Sequence, residues 1–373
     1  LESQIKEAGF TPPENSPGTP FSLDRPATIT LAEWPGGTSA TRIEFAHTME
    51  SGRAVEDWRI ATAIALRKLD RIPDWPVIFT YRITYDDQKE VTIPVRFGES
   101  IANAERVQTV APMLWARENW VAKLDPATTQ KAVVYRMQIP NPRPDAAILR
   151  LEAVLTPRIL SGQGNLHLFG CRIITQPKDG RLLVVAQRPV GDDAQAATFD
   201  APLGTLAAAL EQAQPGDTIL LRGGSYGLDA AIHRDLVNTT DKWLTISAFP
   251  GETPVLDGQH IRPDYRLRPY TPDAPHDLFY YQQDTGILHF TGDPAYLRIQ
   301  GITFIQSPRA GISVYGKQNR TAIPALYGET PHVDLSFNTT FLTATMGIIT
   351  HKTKHLTILG NRVGRPHAYE MLR

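Results

Sequence analysis

Between residues 26 and 172 apolar and polar positions alternate in short runs. Ala27–Leu31, Thr41–Phe45, Val77–Tyr85, Glu90–Phe97, Ala132–Met137 and Ala147–Ala153 all suit strands with one buried face. Val77–Tyr85 and Glu90–Phe97, joined by Asp86–Lys89, read as a β-hairpin. One helical pattern, Ala54–Leu69, interrupts the series. Many short strands with turn signals between them predict a β-sandwich. After Gly191 the pattern changes to a polar turn followed by a short helix. Thr205 stands near the start of that helix, with Leu206, Leu210 and Ala213 on its apolar side. Pro215 and Gly216 stop it, the strand Thr218–Arg222 follows, and Gly223-Gly224 turns the chain. Trp243–Phe249 predicts the next strand.

The second half also repeats. Leu335-Ser-Phe-Asn338 aligns with Ile358-Leu-Gly-Asn361 at a spacing of 23, and Gly311–Tyr315 with Gly347–His351 at a spacing of 36. The surplus of 13 residues falls within Gly316–Pro331, which reads as a loop inserted into one coil. Asn338 and Asn361 would then stack at an inward turn, each amide satisfying backbone groups of the next coil. The helix, strand and Gly-Gly turn from Gly191 to Tyr226 resemble the N-terminal cap and first coil of right-handed parallel β-helix proteins of the pectate lyase kind. Pro250–Gly258, PGETPVLDG, resembles the turn and short strand that close an early coil in the same proteins. The resemblance spans about 180 residues.

YRITYDD and IPNPRPDAAILRLE look like the galactose-binding-type jelly-roll domains that precede β-helices in secreted bacterial carbohydrate proteins. The expected fold is therefore all-β. A Pro-rich leader or linker (1–25) precedes a jelly-roll β-sandwich (26–172), and a right-handed parallel β-helix with an N-terminal capping helix follows (173–373). About four coils are visible, and no cap follows PHAYEMLR, so the reading is of a solenoid cut short or covered by another chain. The opening LESQIKEAGF has neither a start methionine nor a signal-like apolar core, which suggests removal of a preceding segment.

Composition narrows the function classes. The 30 prolines and 27 glycines are spread between the β-type runs, as a turn-rich β protein requires. A net charge of −1 gives no electrostatic case for a nucleic acid or a membrane surface. The single cysteine, Cys171, excludes an internal disulfide framework and reads as a buried thiol. No apolar run reaches the ~18 residues of a transmembrane helix. Nothing in the sequence fixes an oligomeric state.

In a β-helix, alternate residues of each strand point outward, and equivalent positions of successive coils line up. The 36-residue register sets Tyr315 beside His351 on the outside, with Ser313 and Ile349 in the neighbouring line. Lys352, Lys354, His355, Arg362, Arg365 and His367 follow within one coil and make a basic, aromatic surface. Aromatic faces stack on sugars, and cations pair with carboxylate or sulfate. The β-helix resemblance implies a polysaccharide partner, an acidic one on this surface. It also implies a place outside the cell, in the periplasm or at the cell surface. Many such proteins are lyases, in which a base removes the proton beside a uronic carboxylate while a cation neutralises that carboxylate. Lys352, His351 and Tyr315 are the candidate bases. Arg365 is the neutralising cation, with Arg362 and His367 as further substrate-binding residues.

The chain departs from calcium-dependent pectate lyases. No acidic cluster recurs on successive coils and Asp257 reads as a turn residue, so no cofactor is expected and calcium has no evident cage. A hydrolase needs two opposed carboxylates, and Asp334, Glu329 and Glu370 make no convincing pair. GRAVEDW (52–58) and SGQGN (161–165) lack the strand–loop–helix context of a phosphate site, and His47 reads as a hydrogen-bonded core or edge residue. Five tryptophans, Trp34, Trp58, Trp75, Trp115 and Trp120, fall in the sandwich half, where one or two exposed rings would offer a stacking platform. The alternatives are a non-catalytic, adhesin-like or structural β-helix, and a carbohydrate-binding module joined to an inactive solenoid.

Overall fold

The computed structural model describes residues 2–13, 20–51, 76–105, 112–123, 131–156, 164–175, 180–261, 286–316, 330–343, 346–351 and 353–364. The chain divides into two compact units, Leu1–Lys178 and Asp179–Arg373.

The first unit holds two antiparallel sheets. One carries β1 (Pro20–Ser22), β3 (Arg42–Ser51), β6 (Asn119–Lys123), β7 (Lys131–Pro140) and β9 (Gly164–Ile174), in the order β1-β9-β3-β7-β6. The other carries β2 (Ala27–Thr38), β4 (Val77–Tyr85), β5 (Glu90–Arg96) and β8 (Ile148–Leu155), in the order β2-β8-β4-β5. Alternation sets the buried face of each strand. In β5, Val91, Ile93 and Val95 are buried while Glu90 and Thr92 are exposed. Phe45 of β3 stacks on Tyr81 of β4 at 3.7 Å and 9°, so the two sheets meet through their apolar faces as in a β-sandwich. The hairpin β4–β5 closes through Gln88, whose N–H donates to the Tyr85 carbonyl at 2.9 Å.

Residues 1–25 differ from a leader or linker. α1 (Glu2–Glu7) carries Ile5, which with Phe10 is buried against Ala46, Val134 and Phe169. Thr11 exchanges two backbone hydrogen bonds with Cys171, and β1 pairs with β9. These contacts belong to the unit's own core. The proline run is the reason they escape a sequence reading, because its composition masks the flanking apolar anchors. Strands β1, β6 and β9 were likewise not among the runs that alternation identifies. The helical pattern at 54–69, GRAVEDW, Trp58 and Trp75 lie outside the described residues.

The second unit is a parallel solenoid. Its first sheet runs β10 (Leu182–Val185), β11 (Thr218–Leu221), β14 (Leu244–Ala248), β17 (Leu297–Gln300), β20 (Thr330–Ser336), β23 (Thr353–Leu359). The second runs β12 (Gly224–Gly227), β15 (Pro254–Asp257), β18 (Thr303–Ile305), β21 (Thr339–Phe341), β24 (Arg362–Val363). The third runs β13 (Ile232–Val237), β16 (Leu288–Asp293), β19 (Ala310–Tyr315), β22 (Met346–His351). Among the described residues four turns, from β11–β13 to β20–β22, give one strand to each sheet, with β10 before them and β23 and β24 after, and every pairing between coils is parallel. The inward residues Ile219, Ile246, Ile299 and Leu335 stack as a single buried column in the core of the first sheet. In the last described coil Ile358 holds the same register position as Leu335, yet it is 54% exposed.

α2 (Leu206–Gln212) covers the N-terminal end of the coils. Leu206, Ala209 and Leu210 are buried against Leu183, Val185 and Leu221. Its N-terminus is organised by the polar turn before it. Thr205 Oγ1 accepts from the Ala208 N–H at 3.1 Å, and Asp193 Oδ1 accepts from the Gly204 and Thr205 N–H groups at 3.0 and 2.8 Å. Asn338 and Asn361 are adjacent, as the 23-residue spacing predicts, with the Asn338 N–H donating to Asn361 Oδ1 at 2.8 Å. Asn338 is fully buried; its Oδ1 accepts from the Ile302 N–H at 3.1 Å and its Nδ2 donates to the Ile299 carbonyl at 2.8 Å. Both amides thus reach back to the preceding coil, rather than on to the next one. At the rung before Asn338 the chain has Ile302, so the ladder has two described rungs.

The glycines of the 36-residue repeat share a steric cause. A Cβ on Gly347 would fall 2.1 Å from Thr340 Oγ1, and one on Gly311 would fall 2.8 Å from Thr340 Cγ2. Residues 317–329 of the inserted loop lie outside the described residues; Thr330 and Pro331, expected in that loop, are the first residues of β20.

Candidate functional site

The third sheet of the solenoid presents two outward columns. Ile232, Leu288, Ile312 and Ile348 share one register position on the inside, so His233, His289, Ser313 and Ile349 share the next one on the outside. Two residues further on, Asp235 pairs with Thr291 and Tyr315 pairs with His351, and the register Phe290–Val314 runs Thr291 toward Tyr315 along the second column. Strands stack at roughly 4.8 Å, so groups on neighbouring coils sit within one sugar-ring width of one another.

Three rings follow one another along this face. The His233 and His289 centroids are 5.0 Å apart at 67°, and the His289 and Tyr315 centroids 5.1 Å apart at 47°. His233 and Asp235 are exposed, Thr291 and Tyr315 are half-buried, and His289 is buried. Thr291 Oγ1 lies 3.0 Å from His233 Nε2 and donates to Asp235 Oδ1 at 3.2 Å. Arg309 Nη2 donates to the Tyr315 hydroxyl at 3.4 Å. The face therefore combines ring surface, a carboxylate, a hydroxyl and a guanidinium across neighbouring coils. Such a set can stack on a sugar, hydrogen-bond its hydroxyls and pair with an acidic substituent. Among the described residues no three His, Cys, Asp or Glu side chains gather as a metal site.

The structure sets Tyr315 directly beside His351 on neighbouring strands, in the register the repeat predicts. Arg362 stands apart from them. It lies on β24 of the second sheet, with its N–H donating to the Asn338 carbonyl at 2.8 Å. Lys352, Arg365 and His367 lie outside the described residues. Lys354 and His355 belong to the first sheet, so the basic C-terminal residues do not share one surface. His355 instead ends a second ring column at the corner entering that sheet. Its ring stacks on His332 at 4.9 Å and 12°, and His332 stacks on Tyr296 at 4.7 Å and 28°. Trp243 meets Tyr296 edge-on at 5.6 Å, while Arg298 covers a Trp243 face at 4.4 Å.

His233, Asp235, His289, Thr291 and Arg309 were missed in the sequence. A signal existed: Ile232-His-Arg-Asp-Leu236 and Leu288-His-Phe-Thr-Gly292 share an apolar-His-x-polar pattern at a spacing of 56. That spacing exceeds the 36- and 23-residue coils, because residues 262–285 fall between the two strands, and a search at coil length passes over it.

Comparison with known proteins adds a likeness in one segment to this geometry. Residues 185–349 match the Pel9A-like, right handed beta helix region. Over 120 residues the chain is 34% identical to the pectate lyase PEL9 of Emericella nidulans, a match that covers 32% of this chain and 27% of that protein. The chain thus spans about a quarter of that relative's length. Among solved structures, the GH136 lacto-N-biosidase of Eubacterium ramulus aligns at 18% identity with a TM-score of 0.37, covering 50% of this chain and 34% of that one. The pectate lyase Pel9A aligns at 17% identity with a TM-score of 0.26, covering 44% and 39%. The Pel9A-like segment contains β11 to β21 whole, and with them the outward residues His233, His289 and Tyr315. No helix among the described residues is long and apolar enough to cross a membrane.

Proposed function

We propose that the Pel9A-like solenoid binds an acidic polysaccharide along its third sheet and cleaves it by β-elimination. The observation that carries this reading is the line of rings on the third sheet, the exposed His233 and half-buried Tyr315 on either side of the buried His289, with the Arg309 guanidinium beside Tyr315. The match of residues 185–349 to the Pel9A-like region, and the 34% identity of 120 residues to a pectate lyase, support a uronic-acid polymer as the substrate class. In the reaction a base takes the proton on the carbon beside the carboxylate. The freed electron pair forms a carbon–carbon double bond, the glycosidic carbon–oxygen bond breaks, and the departing oxygen takes a proton from water. Arg309 pairs with the substrate carboxylate and lowers the energy of the carbanion-like state. Tyr315 offers a base on this face, and His351 keeps the role of base that the sequence suggests for it. Lys352 and Arg365 keep the roles of base and neutralising cation that the sequence suggests for them, and Arg362, on the second sheet, is left out. A polymeric glycan substrate also places the protein outside the cytoplasm.

The test is a panel of acidic and neutral polysaccharides, with binding followed by calorimetry and cleavage by the ultraviolet absorbance of unsaturated uronic ends. An acidic polymer should bind and yield unsaturated product. Tyr315→Ala should weaken binding by about tenfold, or ~1.4 kcal/mol. Arg309→Ala should weaken it and flatten its salt dependence, because charge attraction at a surface is screened. Binding without unsaturated product would reduce the protein to a glycan binder. Absence of both would reject the face.

A further inference from the structure

We infer that His233 is a proton acceptor of this face, held in one tautomer by Asp235 acting through Thr291; the inference rests on the β-elimination reading above. Proton counting decides the tautomer. A carboxylate only accepts, and a threonine hydroxyl has one proton, so the 3.2 Å contact to Asp235 Oδ1 uses the proton of Thr291. What Thr291 Oγ1 turns toward His233 Nε2, 3.0 Å away, is a lone pair. Nε2 must therefore carry the hydrogen, and in the neutral ring the lone pair sits on Nδ1. His289, the register partner of His233, packs its ring against this imidazole at 5.0 Å and 67° and restricts its rotation. His233 is exposed, and Nε2 makes its one hydrogen bond among the described residues, so Nδ1 is directed to a ligand.

The fold supplies this arrangement because His233 and Asp235 are alternate residues of β13, and Thr291 is the register partner of Asp235 on β16. The three groups lie within one rung of each other with no loop between them. When Nδ1 takes the proton from the carbon beside the carboxylate, the electron pair becomes the double bond, the carbon–oxygen bond breaks, and water protonates the leaving oxygen. The imidazolium that results still donates Nε2–H to Thr291, whose own hydrogen bond points the Asp235 charge toward it. His233 is then a catalytic base of this face beside the candidates named above, and Thr291 and Asp235 are positioning residues.

Two measurements on the full chain test this. Nitrogen-15 spectra of the histidine rings, with His233 assigned by its loss in His233→Gln, should show neutral His233 with its hydrogen on Nε2 alone. Thr291→Val should give a mixture of tautomers, and Thr291→Ser should restore the single form. On the polymer that the wild type cleaves, His233→Gln should lose about 100-fold or more in turnover, with binding changed by less than about twofold. Thr291→Val should lose part of that turnover and Thr291→Ser should recover it. A hydrogen on Nδ1, or a His233→Gln protein that turns over normally, overturns the assignment while leaving polysaccharide cleavage in place. A wild-type protein that cleaves no polymer overturns the elimination reading itself, and the base role with it.

Discussion

His47 in the first unit and His233 in the second use the same hydrogen-bonding logic in opposite surroundings. His47 Nε2 donates to the Ser100 carbonyl at 2.9 Å and its Nδ1 accepts from the Tyr81 hydroxyl at 2.6 Å. The ring is fully buried, and burial lowers its pKa from 6.5 to about 4. His233 also has its Nε2 satisfied by an oxygen, but it stands on an outward position in contact with solvent. His47 is neutral with its hydrogen on Nε2, the tautomer inferred above for His233. In the sandwich the second nitrogen is closed off by Tyr81, so the histidine only holds the two sheets in register. On the solenoid the second nitrogen faces out, where the same tautomer becomes usable chemistry.

The largest effect should come from breaking a sealed polar group. Asn338→Ala leaves the Ile302 N–H and the Ile299 carbonyl without their partner in a fully buried site. The expected loss is about 2–5 kcal/mol, since each orphaned buried group costs roughly 1–3 kcal/mol. Asn361→Ala, at a half-buried rung, should cost less, about 1 kcal/mol, because water can replace the amide there. Urea unfolding of both variants measures the difference. Equal losses would show that the ladder is no more closed at Asn338 than at Asn361.

The next effect tests the sandwich histidine by pH. The unfolded ring titrates near 6.5 and the folded one near about 4, so between these values the unfolded chain takes up a proton that the folded unit refuses. Stability from this group is complete above pH 6.5 and is lost as pH falls toward 4, by about 3 kcal/mol in all. Unfolding midpoints across that window should slope for the wild type and flatten for His47→Asn. A flat wild-type profile would mean that His47 is protonated inside the sandwich.

Much of this contrast was legible beforehand, and the reasons differ by element. Alternation located β4 and β5, while β11 and β14 showed as short apolar runs beside turn signals: Ile219, Leu220 and Leu221 of β11 are all buried. The register of Tyr315 with His351 and the pairing of Asn338 with Asn361 followed from coil lengths alone, since a solenoid turns sequence spacing into adjacency. Strands β6 and β9 hid because their runs, NWVAK and GNLHLFGCRII, break the alternation: in β9 six consecutive residues from Leu166 to Cys171 are buried. Cys171 was read as a buried thiol, and burial raises its pKa to about 12. The His233 cluster stayed hidden because a long insertion separates two strands that are neighbours in space. Composition misread residues 1–25, where two anchors, Ile5 and Phe10, outweigh the prolines that follow them.

A smaller effect belongs to the cap of the solenoid. Thr205→Ala removes the acceptor for the Ala208 N–H and should cost about 1 kcal/mol. Thr205→Ser should keep most of it. The loss is limited because Asp193 still receives the Gly204 and Thr205 N–H groups in the variant.

The smallest effect is the one the comparison needs most. If His233 is kept for its exposed nitrogen and not for the fold, its removal should barely change stability. His233→Ala deletes one hydrogen bond, to a Thr291 hydroxyl that still donates to Asp235, and water can reach the lone pair it leaves. The ring contact with His289 is lost, yet on an exposed position this is worth a fraction of a kcal/mol. The expected change is within about 0.5 kcal/mol, against several for a sealed group such as Asn338. Thermal and urea unfolding of His233→Ala beside Asn338→Ala gives the ratio directly. A loss above about 2 kcal/mol for His233→Ala would make it a structural histidine like His47, since a group that holds the fold together is buried against partners water cannot replace. Near-neutral stability, together with the ring tautomer, leaves its orientation without a structural explanation and so points to a ligand.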